Sequence, residues 1–178
     1  MCNFLSVLIL RDGSVRHHPL LDSHSDLVRY FEIPDTNAHI PHFAKAELTP
    51  VDWADAATWL WKIDERVRPI WLDDVEAAAE QETRAIAQRM VLKDVERTLI
   101  VDGTWIVAGN SKIRDVRSGW IRRVQDQATV SNVWGRATVS NVWGQATVSD
   151  VRDQATVSDV RDQARLDDSA KSRLAKSK

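Results

Sequence analysis

Ala128-Thr-Val-Ser-Asn-Val-Trp-Gly-Arg136, Ala137-Thr-Val-Ser-Asn-Val-Trp-Gly-Gln145, Ala146-Thr-Val-Ser-Asp-Val-Arg-Asp-Gln154 and Ala155-Thr-Val-Ser-Asp-Val-Arg-Asp-Gln163 follow one another without interruption, and Ala164 opens a decaying further copy. Near-identical units at a fixed short period build a solenoid, because a unit too short to enclose a core buries its apolar face against its neighbours. Ala, Val and Val hold the first, third and sixth positions. Ala-Thr-Val-Ser alternates with the period of two that marks a half-buried strand. Asn or Asp at the fifth position and Gly or Asp at the eighth are residues that bend a chain. Two units per coil, about eighteen residues, make the natural circuit of a nonapeptide β-helix, with parallel strands stacked about 4.8 Å apart. This frame turns Val130, Val133, Val139, Val142, Val148, Val151, Val157 and Val160 inward, and Thr and Ser outward.

The repeat reaches upstream in degraded form. Gly119 to Gln127 fits with Ile121 and Val124 inside, and Ser111 to Ser118 fits with one residue deleted, placing Ile113 and Val116 inward. Downstream, Leu166 keeps the third position but Ser169 stands where Val is expected. Lys171 to Lys178 then carries cations without acids, as a solvated end does. The predicted organisation is an α+β domain over residues 1–102, a parallel β-solenoid over 103–169 and a basic disordered tail over 170–178.

Stacking by one coil predicts side-chain neighbours. Trp134 falls beside Arg152 and Trp143 beside Arg161, pairs favourable by about 0.5–1 kcal/mol when exposed. Asn132 falls beside Asp150 and Asn141 beside Asp159. Trp134 and Trp143 lie outside the Ala-Val-Val core pattern, so these tryptophans, with Arg152 and Arg161, are the candidate binding residues.

Composition narrows the classes. The 178 residues carry a formal net charge of −2. From Gly103 onward the net charge is +5, and before it −7. Asp and Arg interleave in the repeats, which is a mixed surface rather than a basic stripe, so nucleic acid is a minor alternative partner. One cysteine excludes an internal disulfide framework and suits a reducing compartment. Phe4 to Leu10 is too short to span a membrane and lacks the basic flank of a signal peptide. The expectation is a cytoplasmic protein with no membrane partner.

Before the solenoid, Phe4 to Leu10 reads as a buried strand, turned by Asp12-Gly13 into a partner from Val15 to His18. Ser23 caps a short helix through about Phe31. Phe43 to Leu48 alternates as a strand, and Thr49-Pro50 announces another short helix. Leu72, Val75, Ala79, Ile86 and Met90 share one face of a longer helix. Thr98 to Val101 and Thr104 to Val107 flank Asp102-Gly103 as a second hairpin. Trp53, Trp59, Trp61 and Trp71 pack the small core.

The opening Met1-Cys2-Asn3-Phe4, with Arg11-Asp12-Gly13, His18-Pro19, Asp22-Ser23-His24, Glu47-Leu48-Thr49-Pro50 and Val101-Asp102-Gly103, resembles a group of small uncharacterised actinobacterial and phage proteins. These pair an MCNF-type N-terminal domain with short, pentapeptide-like β-solenoid repeats. The resemblance spans nearly the whole chain and implies the same two-part architecture, without an activity. The five-residue period of a true pentapeptide repeat is absent here.

For chemistry, Cys2 is a candidate nucleophile once Met1 is removed, with His18 or His24 as base and Asp22 as the orienting carboxylate. His17 and Glu47 are further possible neighbours of the thiol. The adjacent pair His17-His18 and the pair His39-x-x-His42 have no second pair at zinc-finger distance, so neither a metal nor a cofactor is expected. The leading expectation is a non-enzymatic scaffold or protein-binding module presenting a rigid solenoid surface to a protein partner or to a second copy. A small enzyme built on Cys2 is the alternative.

Overall fold

The computed structural model describes residues 4–34 and 41–167, and the chain forms two compact units, Met1–Arg89 and Met90–Lys178. The first unit holds an antiparallel sheet of β1 (Leu5–Leu10), β2 (Val15–Arg16), β3 (Phe43–Thr49) and β4 (Leu60–Ile63), in the order β2-β1-β3-β4. Asp12-Gly13 turns the first hairpin as its sequence predicts. Gly13 takes φ +82, and Asp12 Oδ1 accepts the backbone N–H of Ser14 at 2.9 Å. Helix α1 (His24–Tyr30) is capped by Ser23, whose side chain accepts from the Asp26 amide. Its Leu27 packs with Leu8 and Phe43 in a buried cluster.

The helix expected after Thr49-Pro50 does not form. Strand β3 runs through Thr49, which pairs with Leu60 of β4, so the intervening residues must return the chain to the adjacent strand. They contain a 3₁₀ turn at Ala56–Thr58, capped by Asp55 rather than Thr49. Buried Trp59 pins this loop by donating its Nε1–H to the Asp52 carbonyl at 2.8 Å, and it meets Phe4 edge-on at 5.2 Å. Strand pairing overrode the local capping signal.

Helix α2 (Leu72–Met90) buries Leu72, Ala79 and Ile86, with Val75 and Met90 at the half-buried margin. Thr83 on that face is also buried, and its hydroxyl donates to the Ala79 carbonyl at 2.7 Å, which removes the cost of an unpaired polar group. Near the start of α2, the Arg68 guanidinium bridges Asp73 and Glu76, and Trp61 Nε1 donates to Glu76 Oε1 at 2.9 Å. The Arg68 contact, aided by the Trp61 hydrogen bond, lowers the Glu76 pKa below 4.5. A depressed carboxylate pKa contributes stability above the unfolded value, and this is lost as pH falls through the folded value. Glu76→Gln should therefore cost roughly 0.5–1 kcal/mol at neutral pH after solvent screening. The gap to wild type should close in acid below about pH 4.5; urea unfolding at pH 7 and pH 3 with equal gaps would refute this.

The second unit is a parallel β-solenoid of about four turns. Its strands are β5 (Val91–Lys93), β6 (Glu96–Ile100), β7 (Thr104–Ala108), β8 (Lys112–Val116), β9 (Trp120–Val124), β10 (Thr129–Val133), β11 (Thr138–Val142), β12 (Thr147–Val148), β13 (Thr156–Val160) and β14 (Arg165–Leu166). Successive strands alternate between two sheets, ordered β14-β12-β10-β8-β6 and β13-β11-β9-β7-β5. Thr129 pairs with Thr147, Val130 with Val148, and Asn141 with Asp159, one coil apart. The deletion read upstream is real: Val130 pairs with Ile113 and Val133 with Val116. Seven of the eight valines expected inside are at most 2 % exposed, and Val160 is half-buried. Val160 lies on β13, the last described strand of its sheet, so no further described strand covers it.

The hairpin expected at Asp102-Gly103 does not form either. Strand β6 pairs in parallel with β8, and β7 lies between β5 and β9 in the other sheet. Parallel pairing therefore starts at Val91, upstream of the 102/103 boundary read from the sequence. Asp-Gly signals a residue with positive φ, and Gly103 has it at +77, but a solenoid corner uses that conformation as readily as a hairpin does. The same requirement explains the eighth repeat position, where Gly135, Gly144, Asp153 and Asp162 all have φ between +55 and +70. Asp tolerates this region better than most side chains and adds a bond between coils. Asp153 accepts the Gly135 N–H at 3.1 Å and Asp162 the Gly144 N–H at 3.3 Å. No helix among the described residues is long and apolar enough to cross a membrane.

Candidate functional site

At a corner of the solenoid, the ends of strands in one sheet open an outward groove of about 430 Å³ lined by Asp115, Asn132, Trp134, Asp150, Arg152 and Asp153. Its floor follows from the repeat. Positions five and seven of successive coils stand above one another, so a carboxylate or amide row runs beside a Trp or Arg row. Asn132 Nδ2 donates to Asp115 Oδ1 at 3.0 Å, so the amide spaces the acidic row. Arg152 turns to Asp150, with Nε 2.6 Å from Oδ1, and this bond first of all raises the Arg152 pKa. Three carboxylates against one guanidinium leave the lining with a formal charge of −2. A negative groove with an indole edge suits a cationic side chain.

The expected Trp–Arg pairs divide. Trp143 does meet Arg161, at 5.2 Å from the ring centroid, but its closer guanidinium is Arg123 of the coil below, at 3.6 Å. Trp134 stacks on Arg117, at 4.5 Å, while Arg152 is held by Asp150. The expected pairs took each Trp only to the coil above; Arg117 is the seventh residue of the degraded copy below Trp134, and Arg123 holds the fifth position of its copy, where the later repeats carry Asn or Asp. Arg122 over Trp120, at 3.3 Å, and Arg97 over Trp105, at 4.6 Å, continue the same device. Four rings are thus used within the solenoid itself. Trp134 alone of them also lines the groove.

The candidate catalytic residues fall apart from this groove. Cys2 lies outside the described residues, as do His39 and the 170–178 tail. His18 Nδ1 accepts the Leu20 N–H at 3.1 Å, and its ring packs on Tyr30 at 4.5 Å. The Asp22 carbonyl accepts the hydroxyl of buried Ser6. His24 is buried at the start of α1, with Nε2 3.0 Å from the Ala46 carbonyl and Nδ1 3.6 Å from Asp64 Oδ2. Asp64, which the sequence did not single out, faces the His24 ring where Asp22 was expected to. Burial, with His18 beside it, lowers the His17 pKa, favouring the neutral ring.

No family model, curated protein or solved structure matches the chain.

Proposed function

We propose that the protein is a non-enzymatic binding scaffold whose solenoid presents the Trp134 groove to a protein partner carrying an exposed Lys or Arg. The observation that carries this is the groove itself: three carboxylates and an indole edge converge on coils whose corners are tied together by backbone hydrogen bonds. A site on such a ladder is ordered before binding, so little conformational entropy is lost on association. The groove's acidic row and indole edge are the features that support recognition of a cationic side chain. To the same reading belong an α+β class for the first unit, a nonapeptide two-per-coil class for the solenoid, and kinship with the actinobacterial and phage proteins that open Met-Cys-Asn-Phe. A second copy of the chain is the other partner consistent with it, since the strand edge at the solenoid's end is unpaired among the described residues.

The test is capture with the full chain against Asp150→Asn/Asp153→Asn, which removes two charges while keeping residues that accept positive φ. Partners recovered by the wild type should be lost or reduced at least tenfold with the variant. Light scattering separates a second copy from a foreign partner. Equal capture by both proteins, or a strict monomer that captures nothing, would refute the proposal.

A further inference from the structure

The sheet of the first unit brings together three side chains that the solenoid reading does not use. His24, Glu47 and Asp64 each direct a potential ligand atom to one point, all within 4.8 Å of one another. Strand β3 supplies Glu47, the loop after β2 leads to His24 at the mouth of α1, and Asp64 follows directly after β4. Asp64 is fixed there by its backbone, whose N–H donates to the Lys45 carbonyl at 2.8 Å.

We infer that His24, Glu47 and Asp64 form a site for a divalent transition metal of the zinc class. Three observations converge. First, the His24 ring is oriented as metal-ligating imidazoles are: Nε2 lies 3.0 Å from a backbone carbonyl, which an N–H there satisfies, and Nδ1 faces Asp64 Oδ2 at 3.6 Å. Second, Glu47 is only 4 % exposed and its carboxylate converges with that of Asp64 on the same point. A buried carboxylate beside another is costly, and a cation removes that cost. Third, tetrahedral zinc with ligand bonds of about 2.0–2.2 Å holds its ligand atoms roughly 3.3–3.6 Å apart, within reach of the observed spacing by small rotamer changes. One imidazole nitrogen with two carboxylates suits zinc, manganese or iron better than the all-oxygen preferences of magnesium and calcium. Lys62 Nζ lies 3.6 Å from the other Asp64 oxygen, an exposed pairing that leaves Oδ2 directed at His24. Asp64 is 43 % exposed, so the ion has an entry path and its remaining position opens to water.

The experiment is equilibrium dialysis of the full chain, stripped with a chelator, against ZnCl₂, with Co²⁺ absorption reporting the ligand geometry. One Zn²⁺ per chain at micromolar affinity or better is expected, with a raised melting temperature on binding. Glu47→Gln and Asp64→Asn should each weaken binding at least tenfold and alter the Co²⁺ spectrum, whereas His42→Gln should leave both unchanged. Circular dichroism of the stripped variants checks that each folds; Asp64, being half exposed, keeps the test open if Glu47→Gln does not. No Zn²⁺ taken up by the folded wild type at a hundred micromolar, or uptake equal in wild type and Asp64→Asn, would overturn the inference. Neither outcome depends on the Trp134 groove, so the two proposals stand or fall separately.

Discussion

Val148→Asp should unfold the solenoid's middle, at a cost of about 4 kcal/mol or more, while Thr147→Asp one residue earlier should cost less than about 1 kcal/mol. Val148 is fully buried, stacked on Val130 in the coil below and facing Leu166 in the coil above. A carboxylate there has no donor and no water, because the surrounding column is Ala, Val, Ile and Leu throughout. It must either ionise in an apolar medium or force the coils apart. Thr147 points the other way, half exposed, and pairs with Arg165, whose guanidinium would screen a new carboxylate. Hydrogen-exchange protection of the amides from Thr129 to Val160 is the suitable measure, since it reads the solenoid separately from the first unit. Equal loss of protection in the two variants would show that the inward and outward faces are misassigned.

Gly135→Ala should be the most damaging of the glycine substitutions in the repeats, destabilising by about 3 kcal/mol, against about 1–2 kcal/mol for Gly144→Ala. Repeat alignment treats the two glycines as equivalent, and both have positive φ, at +65 and +70. Their surroundings differ. A Cβ on Gly135 would overlap the carbonyl oxygen of Arg117, whereas a Cβ on Gly144 would lie 3.2 Å from the Asp126 nitrogen, a contact that a small shift relieves. The Arg117 oxygen also accepts the Arg136 N–H at 3.2 Å, so it cannot withdraw without breaking a bond between coils. Melting of the two alanine variants and wild type gives the comparison, and a Gly144→Ala variant as unstable as Gly135→Ala would refute this account.

The repeats were the most legible part of the chain because their period, apolar positions and bend residues all point to one geometry. The inward set from Ile113 to Val157 follows from that period, including the copy with a deletion. Reading failed where a local signal serves two structures. Asp102-Gly103 marks a positive φ but not whether the next strand returns antiparallel or climbs to a neighbouring coil. Thr49-Pro50 resembles a helix start, yet pairing of Thr49 with Leu60 decided that segment. For Trp134 the frame offered an Arg both above and below, and the structure chose between them: Arg152 is taken by Asp150 on its own coil, and Arg117 of the coil below stacks on the ring.

The sequence by itself determined that the C-terminal half stacks on itself, which side chains fill the stack and why its corners carry Gly or Asp. Short-range periodicity suffices for these, because each coil meets only its neighbours. Tertiary structure alone decided that His24, Glu47 and Asp64 converge, that Glu47 is buried, and that the acidic row opens into a groove at Trp134. Residues so far apart in sequence are brought together by strand order and register, and no local pattern around any one of them encodes its distant partners.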